Sequence, residues 1–232
     1  LLAQMSHFHL RMRAKKWQIL EDNLTNGNQP EQTLLKKEDN MEDFSFATAL
    51  LRGEDIGPHI KTPVKLRDPV LKYVLDLFNE SPVNIFQVGA IESLDSKFRI
   101  GSGWSDTIFG PYIKKFGGSL VIADIHLDHL AHSYMMSEGM GYETHLKFGD
   151  AMLHISEDYD IYYLDGADGA LGDTQTLEQF KKIENTSSVV LVDDIQSKAV
   201  SLSAYLKSKN IHFDIHDVGN GGMITIDMRK DK

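Results

Sequence analysis

Two stretches of the sequence end in acids that could do chemistry: Tyr162-Tyr163-Leu164-Asp165-Gly166-Ala167-Asp168 and, one unit later, Val190-Leu191-Val192-Asp193-Asp194. Each is a short apolar run of strand composition closed by carboxylates, so Asp165, Asp193 and Asp194 are expected to converge on one edge of a crevice. Like charges that close raise one another's pKa unless a cation sits between them. The chain has no cysteine, and an oxygen-only ligand set suits a hard divalent ion, Mg²⁺ or Ca²⁺, completed by water and substrate oxygens. Such an ion lowers the pKa of a bound hydroxyl and fixes its direction. The plainer alternative makes these residues helix caps or solvated loop acids.

Three further positions point to a nucleotide-like ligand. Gln87-Val88-Gly89-Ala90-Ile91-Glu92 and, after a gap, Ile100-Gly101-Ser102-Gly103-Trp104-Ser105-Asp106 could let backbone approach a ligand ahead of a helix start with free amide donors; a tight turn alone would also explain the glycines. Asp124 closes Leu120-Val121-Ile122-Ala123-Asp124, where an acid can accept hydrogen bonds from ribose hydroxyls. It comes 35 residues after Gly89, against a usual spacing of about 20, which implies an insertion around Ser93 to Arg99. Asp150, in Phe148-Gly149-Asp150-Ala151, could hold an adenine amino group, and capping a helix explains it equally well.

His126, His129 and His132 recur at a spacing of three, which can suit zinc; no acid or cysteine at the matching register completes the set, and a polar helix face accounts for them. Tyr162 and Tyr163 read as core and flank of their strand. Arg11, Arg13, Lys15 and Lys16 read as a solvated helix face.

These acids and glycines need a scaffold that gathers strand ends. Short apolar runs at Val83 to Val88, Ser119 to Ala123, Thr144 to Phe148, Asp160 to Leu164 and Ser188 to Val192 alternate with helical stretches, the pattern of a mostly parallel sheet covered on both faces. Ligands of such sheets bind outside the carboxyl ends of the strands. Ile211 to Val218 and Met223 to Met228 flank Gly219-Asn220-Gly221-Gly222, a turn that closes an antiparallel hairpin. An amphipathic helix starts at Asp68 and is closed by Ser81-Pro82. Residues 1–65 form an N-terminal helical extension serving as a lid, a dimer contact or a linker, with a Pro30-containing polar stretch from Asn23 to Asn40; residues 66–232 form the main domain.

Composition narrows the class. With 24 Lys+Arg against 34 Asp+Glu and a net charge of -10, the chain has little of the clustered basic surface that drives nucleic-acid binding. It lacks an apolar stretch that reads as a signal peptide or membrane span. The expectation is a cytoplasmic protein with a small-molecule or sugar partner, no nucleic-acid or membrane partner, and a homodimer as one assembly. A start at Leu1 rather than Met fits a fragment of a larger protein.

Gly89, Asp124, Gly149-Asp150, Leu164-Asp165-Gly166 and Val192-Asp193-Asp194, closed by the hairpin, resemble class I S-adenosylmethionine-dependent methyltransferases, and among them metal-dependent O-methyltransferases of the catechol and macrolide-sugar type. The resemblance covers roughly Pro82 to Met228. It implies a Rossmann-like α/β fold with a seven-stranded sheet and S-adenosyl-L-methionine as cofactor, with Gly89 at the methionine part, Asp124 at the ribose and Asp150 by the adenine. The implied cofactor set is Gly89, Glu92, Gly101, Gly103, Ser105, Asp124, Asp150, Ala151 and Asp165. The implied metal set is Asp165, Asp193 and Asp194, with Asp165 and Asp168 catalytic. Some relatives carry a histidine where this chain has Asp168. The rival readings are an NAD-dependent oxidoreductase, which lacks its compact G-x-G-x-x-G here, and a non-catalytic scaffold of the same fold, against which stands the cost of unbalanced carboxylates.

Overall fold

A computed structural model describes residues 67–94, 104–156, 158–218 and 222–231. The N-terminal extension 1–65, Gly101, Gly103 and the Gly219-Asn220-Gly221 part of the turn lie outside the described residues.

The apolar runs become strands: β1 Val83–Val88, β2 Gly118–Asp124, β3 His145–Phe148, β4 Ile161–Leu164, β5 Val189–Asp193, β6 Asp214–His216 and β7 Met223–Asp227. They form one seven-stranded sheet in the order β3-β2-β1-β4-β5-β7-β6. The first five are parallel. β7 runs antiparallel to both β5 and β6, so the terminal hairpin places its second strand inside the sheet and its first on the edge. The strand order reverses between β1 and β4, and the crevice outside their carboxyl ends is where ligands of open α/β sheets bind.

The hairpin's first strand is shorter than its apolar run suggests, because Ile211 belongs to the helix before it. Asn210 takes a left-handed φ of 56°, its N–H bonds the Lys207 carbonyl, and the Ile211 N–H bonds the Leu206 carbonyl. That is a Schellman helix end, which uses residue 211 as a cap.

Side chains alternate across the sheet, as the period of a strand requires. Ile85, Ile161, Tyr163, Val189 and Leu191 pack on one face with α1 (Asp68–Asp76), α2 (Asp106–Phe116) and α3 (Leu127–Met140). Phe86, Val88, Tyr162, Leu164, Val190 and Val192 pack on the other with α4 (Gly169–Ile183) and α6 (Val200–Ser208). Both strand tyrosines are fully buried, as core residues should be. α1 starts with Pro69 in its first turn, where the missing N–H is harmless, and buries Val70, Leu71, Val74 and Leu75. Those anchors fix the position of Arg67, which stands just ahead of the helix. No helix among the described residues is long and apolar enough to cross a membrane.

Candidate functional site

The crevice is built from the carboxyl ends of β1, β2, β4 and β5. At the end of β1, Gly89 takes φ +90°, and a Cβ placed there would lie 2.3 Å from the Asp165 carbonyl oxygen. Glycine therefore lets the ends of β1 and β4 meet backbone to backbone. The β1–α2 connection runs from Gly89 to Ser105; of the insertion expected around Ser93 to Arg99, residues 95–99 lie outside the described residues. Glu92 is exposed. Ser105 is buried ahead of α2, and its hydroxyl has no hydrogen-bond partner among the described residues.

Asp124 is held at the tip of β2 mainly by backbone. Its Oδ2 accepts from the Ala90 N–H at 2.8 Å and its Oδ1 from the His126 N–H at 2.7 Å, with His129 Nδ1 3.4 Å from Oδ2. A carboxylate has about four lone-pair sites, so capacity to accept from ligand hydroxyls remains. Ile125 beside it is 62% exposed and offers a flat apolar surface. Asp150 acts as a cap, its Oδ1 accepting from the Met152 N–H at 2.9 Å over the short 3₁₀ turn Ala151–Leu153. Ala151 points into the core with Val121 and Ala123. His126 and His129 lie side by side, ring centroids 4.6 Å apart, whereas His132 Nδ1 lies 3.1 Å from the Ile91 carbonyl, and the three form no metal-holding group among the described residues.

The expected acid cluster is assembled. Asp165, Asp193 and Asp194 each bring a carboxylate oxygen within 4.8 Å of the others. Asp194 sits at φ +52°, a left-handed conformation for a non-glycine residue. Such strain persists where surrounding structure holds it; here it turns the chain from β5 into the one-turn helix α5, Ile195–Lys198.

Two cations stand among these acids. The Lys198 ammonium lies 2.5 Å from Asp165 Oδ1, 3.3 Å from Asp194 Oδ2 and 3.4 Å from Asp168 Oδ1. Arg67 donates from one guanidinium nitrogen to the Tyr163 hydroxyl at 2.7 Å, to Asp165 Oδ2 at 3.2 Å and to Asp193 Oδ2. The Tyr163 hydroxyl donates toward the same two acids, 3.1 Å from Asp165 Oδ2 and 3.0 Å from Asp193 Oδ2. Burial opposes the charge of Arg67, yet Tyr163, Asp165 and Asp193 outweigh it and hold its pKa above the ordinary value. Burial likewise opposes the charge of Lys198, and Asp165, Asp194 and Asp168 overcome it and raise its pKa. Asp194 is pushed up by burial and by Asp193, and Tyr163 well up by burial.

The donor types suit a hard divalent ion, which sits about 2.0 to 2.6 Å from its oxygens. Each of the three carboxylates already has an oxygen paired with an ammonium or a guanidinium. With both cations in place the set does not fit a metal ion. The cost of crowding carboxylates, which argued against a scaffold, is met here by the chain itself.

Beneath the cluster a second polar contact is buried. Gln87, paired in register with Tyr163, donates to Asp106 Oδ1 at 2.7 Å. Burial pushes Asp106 up to about 6, against hydrogen bonds from Ser133 and Gln87 that lower it.

Arg67, Lys198, Tyr163 and Ile125 are the residues that sequence reasoning missed or placed in other roles. Lys198 had a signal, since it follows Asp194 by four residues, a spacing that brings charges together on a helix. Arg67 had none, because its partners are 98 and 126 residues away.

No family model matches this sequence, and no curated protein matches it. Solved structures do. Ribosomal protein L11 methylase from Lactobacillus delbrueckii subsp. bulgaricus matches with a TM-score of 0.50 at 12% identity, covering 71% of this chain and 79% of its own. An SAH-bound methyltransferase from Podospora anserina matches with a TM-score of 0.50 at 14% identity, covering 86% of this chain and 96% of its own. At such identity the likeness establishes the fold: a Rossmann-like methyltransferase fold with a mostly parallel sheet and a C-terminal antiparallel hairpin.

Proposed function

We propose that this chain is an S-adenosylmethionine-dependent methyltransferase that acts on a hydroxyl of a small molecule or sugar. The observation that carries the reading is Asp124, a carboxylate fixed at the tip of β2 by two backbone amides, beside the switch in strand order. An acid there accepts from ribose hydroxyls, and Ile125 offers its exposed side chain to the base. The methyl group would face the ends of β4 and β5, where the acids gather.

The reaction is an in-line displacement. The acceptor oxygen forms a bond to the methyl carbon, the C–S bond breaks with its electron pair going to sulfur, and the hydroxyl proton goes to a carboxylate. Alignment of the attacking oxygen supplies much of the acceleration. Asp168 is three-quarters exposed and within reach of Lys198 and Ser197, which suits a residue that takes a proton from an incoming substrate. Asp194 would fix the hydroxyl by accepting its hydrogen bond, while Asp165 anchors Lys198. A divalent ion, the other way to activate a hydroxyl, would compete with Arg67 and Lys198 for its ligands.

Calorimetric titration tests the reading. S-adenosylmethionine is expected to bind the full chain, and Asp124→Ala to weaken it roughly a hundredfold, since two hydrogen bonds to a charged group are lost at about 1.5 kcal/mol each. Equal binding by both proteins would remove Asp124 from the cofactor site. Asp168→Asn is expected to lower kcat about a hundredfold at unchanged cofactor affinity once an acceptor is found.

A nicotinamide dinucleotide would also use Asp124, but the antiparallel β7 beside β5 departs from the all-parallel order of that fold. The non-catalytic scaffold is favoured by one observation, the internal neutralisation of the acids by Arg67 and Lys198. No heat on adding S-adenosylmethionine would put it first.

A further inference from the structure

We infer that Lys198, with Arg67 behind it, is a built-in counter-cation that takes the place of a divalent ion at the ends of β4 and β5, so that the site works without a metal. The inference deepens the methyltransferase reading and rests on it for its catalytic meaning.

Lys198 has the surroundings of an ion rather than of a surface lysine. Its ammonium has three carboxylates about it, Asp165, Asp168 and Asp194, from the ends of two different strands and the loop after β4. Its side chain is only 5% exposed. A buried ammonium is tolerated only when it is paired, and the local backbone is shaped to pair it. Asp194 adopts the left-handed turn, α5 follows for a single turn, and the Lys198 N–H bonds the Asp194 carbonyl at 2.9 Å. Arg67 serves the inner oxygens of Asp165 and Asp193 in the same way.

The charges bear this out. Asp165, Asp193 and Asp194 meet one ammonium and one guanidinium, so the three acids are largely neutralised before any ligand arrives. A divalent ion entering the same oxygens would face two positive charges at close range. At these separations that repulsion opposes the ion's entry even at an effective dielectric of about 20. The ion would have to expel Lys198, and the freed ammonium would then need another partner. Neutralised in this way, Asp194 and Asp168 remain as hydrogen-bond acceptors at the exposed side of the cluster. A substrate hydroxyl is then oriented by donating to a carboxylate, where a metal site would orient it by coordinating its oxygen.

The test uses Mn²⁺ as the probe, counted by electron paramagnetic resonance on the full chain, beside S-adenosylmethionine calorimetry with and without EDTA. The wild-type chain is expected to bind no stoichiometric Mn²⁺ below about 1 mM, a weak affinity on the scale of protein sites for hard ions. Its S-adenosylmethionine affinity should be the same in EDTA. Lys198→Met removes the charge at similar volume and is expected to gain one Mn²⁺ with affinity raised roughly tenfold or more. Adding Asp165→Asn to that variant should abolish the gain. One Mn²⁺ bound by wild type at micromolar affinity and lost in Asp193→Asn would overturn the inference. So would a folded Lys198→Met, checked by circular dichroism, that gains nothing. If Lys198→Met does not fold, the wild-type titration decides alone. Failure of S-adenosylmethionine to bind under any condition would sink the methyltransferase reading, while the manganese result would still decide the counter-cation.

Discussion

Asp124 and Asp193 are both acids at the carboxyl ends of parallel strands, and both side chains are 9% exposed. Their partners differ in kind. Asp124 is held by the amides of Ala90 and His126, with His129 at the margin; Asp193 accepts one amide, that of Asp194, and is held besides by a guanidinium and a phenol. Amide donors fix the direction of a carboxylate and leave its formal charge in place, whereas a cation cancels it. The β2 side of the crevice therefore carries an oriented acceptor with its formal charge in place. The β4–β5 side has most of its charge offset from within, by Arg67 and Lys198. Sequence position alone makes the two acids look alike; the structure shows that their donors differ.

The largest expected effect comes from removing the internal balance. Arg67→Met leaves Asp165 and Asp193 without their guanidinium and is expected to cost about 3 to 5 kcal/mol, the range for breaking one side of a buried ion pair. Urea unfolding measures it, and a loss below about 1 kcal/mol, the value of a surface pair, would erase the contrast with Asp124.

A slightly smaller effect should appear in the pH profile of stability. The Asp106 carboxyl is raised to about 6 in the folded chain, so the folded state holds its proton more tightly than the unfolded one. Its favourable contribution is fully present below about pH 4 and is lost as pH rises through about 6. The loss amounts to roughly 3 kcal/mol. Asp106→Asn should flatten that part of the profile; an unchanged slope would assign the pH dependence elsewhere.

Asp124→Asn keeps the shape and removes the charge, so it sharpens the comparison directly. S-adenosylmethionine affinity should fall about tenfold, while Asp193→Asn should leave it nearly unchanged, both read by calorimetry. Similar losses in the two variants would mean that the two sides form one site. The smallest effect belongs to Asp150→Ala, which removes the cap on the Ala151–Leu153 turn and should cost about 1 kcal/mol or less in thermal unfolding.

Much of the frame was legible in the chain. All seven strands lie within or beside their apolar runs; for β1, β2, β4, β5 and β7 this is because a strand buried on both faces needs a continuous apolar run, while the edge strands β3 and β6 are largely exposed. The cap at Asp150 was readable because it acts on Met152, two residues away. The start of β6 was not: Ile211 reads as strand by composition, yet the helix end before it claims its N–H. The acid cluster was readable as a convergence, since parallel strands ending in Asp must present those acids on the same edge.

What sequence alone determined, then, is the order of elements, the sheet's direction and the placing of Asp124, Asp165, Asp193 and Asp194 at strand ends, all of which follow from local periodicity. What only the tertiary structure decided is the company those acids keep. Arg67 reaches Asp193 across 126 residues of chain because α1 packs on the sheet, and that packing sums many weak apolar contacts which no local pattern encodes. Whether a carboxylate faces a cation, an amide or solvent sets its chemistry, and that neighbour is fixed by the packing of the whole fold.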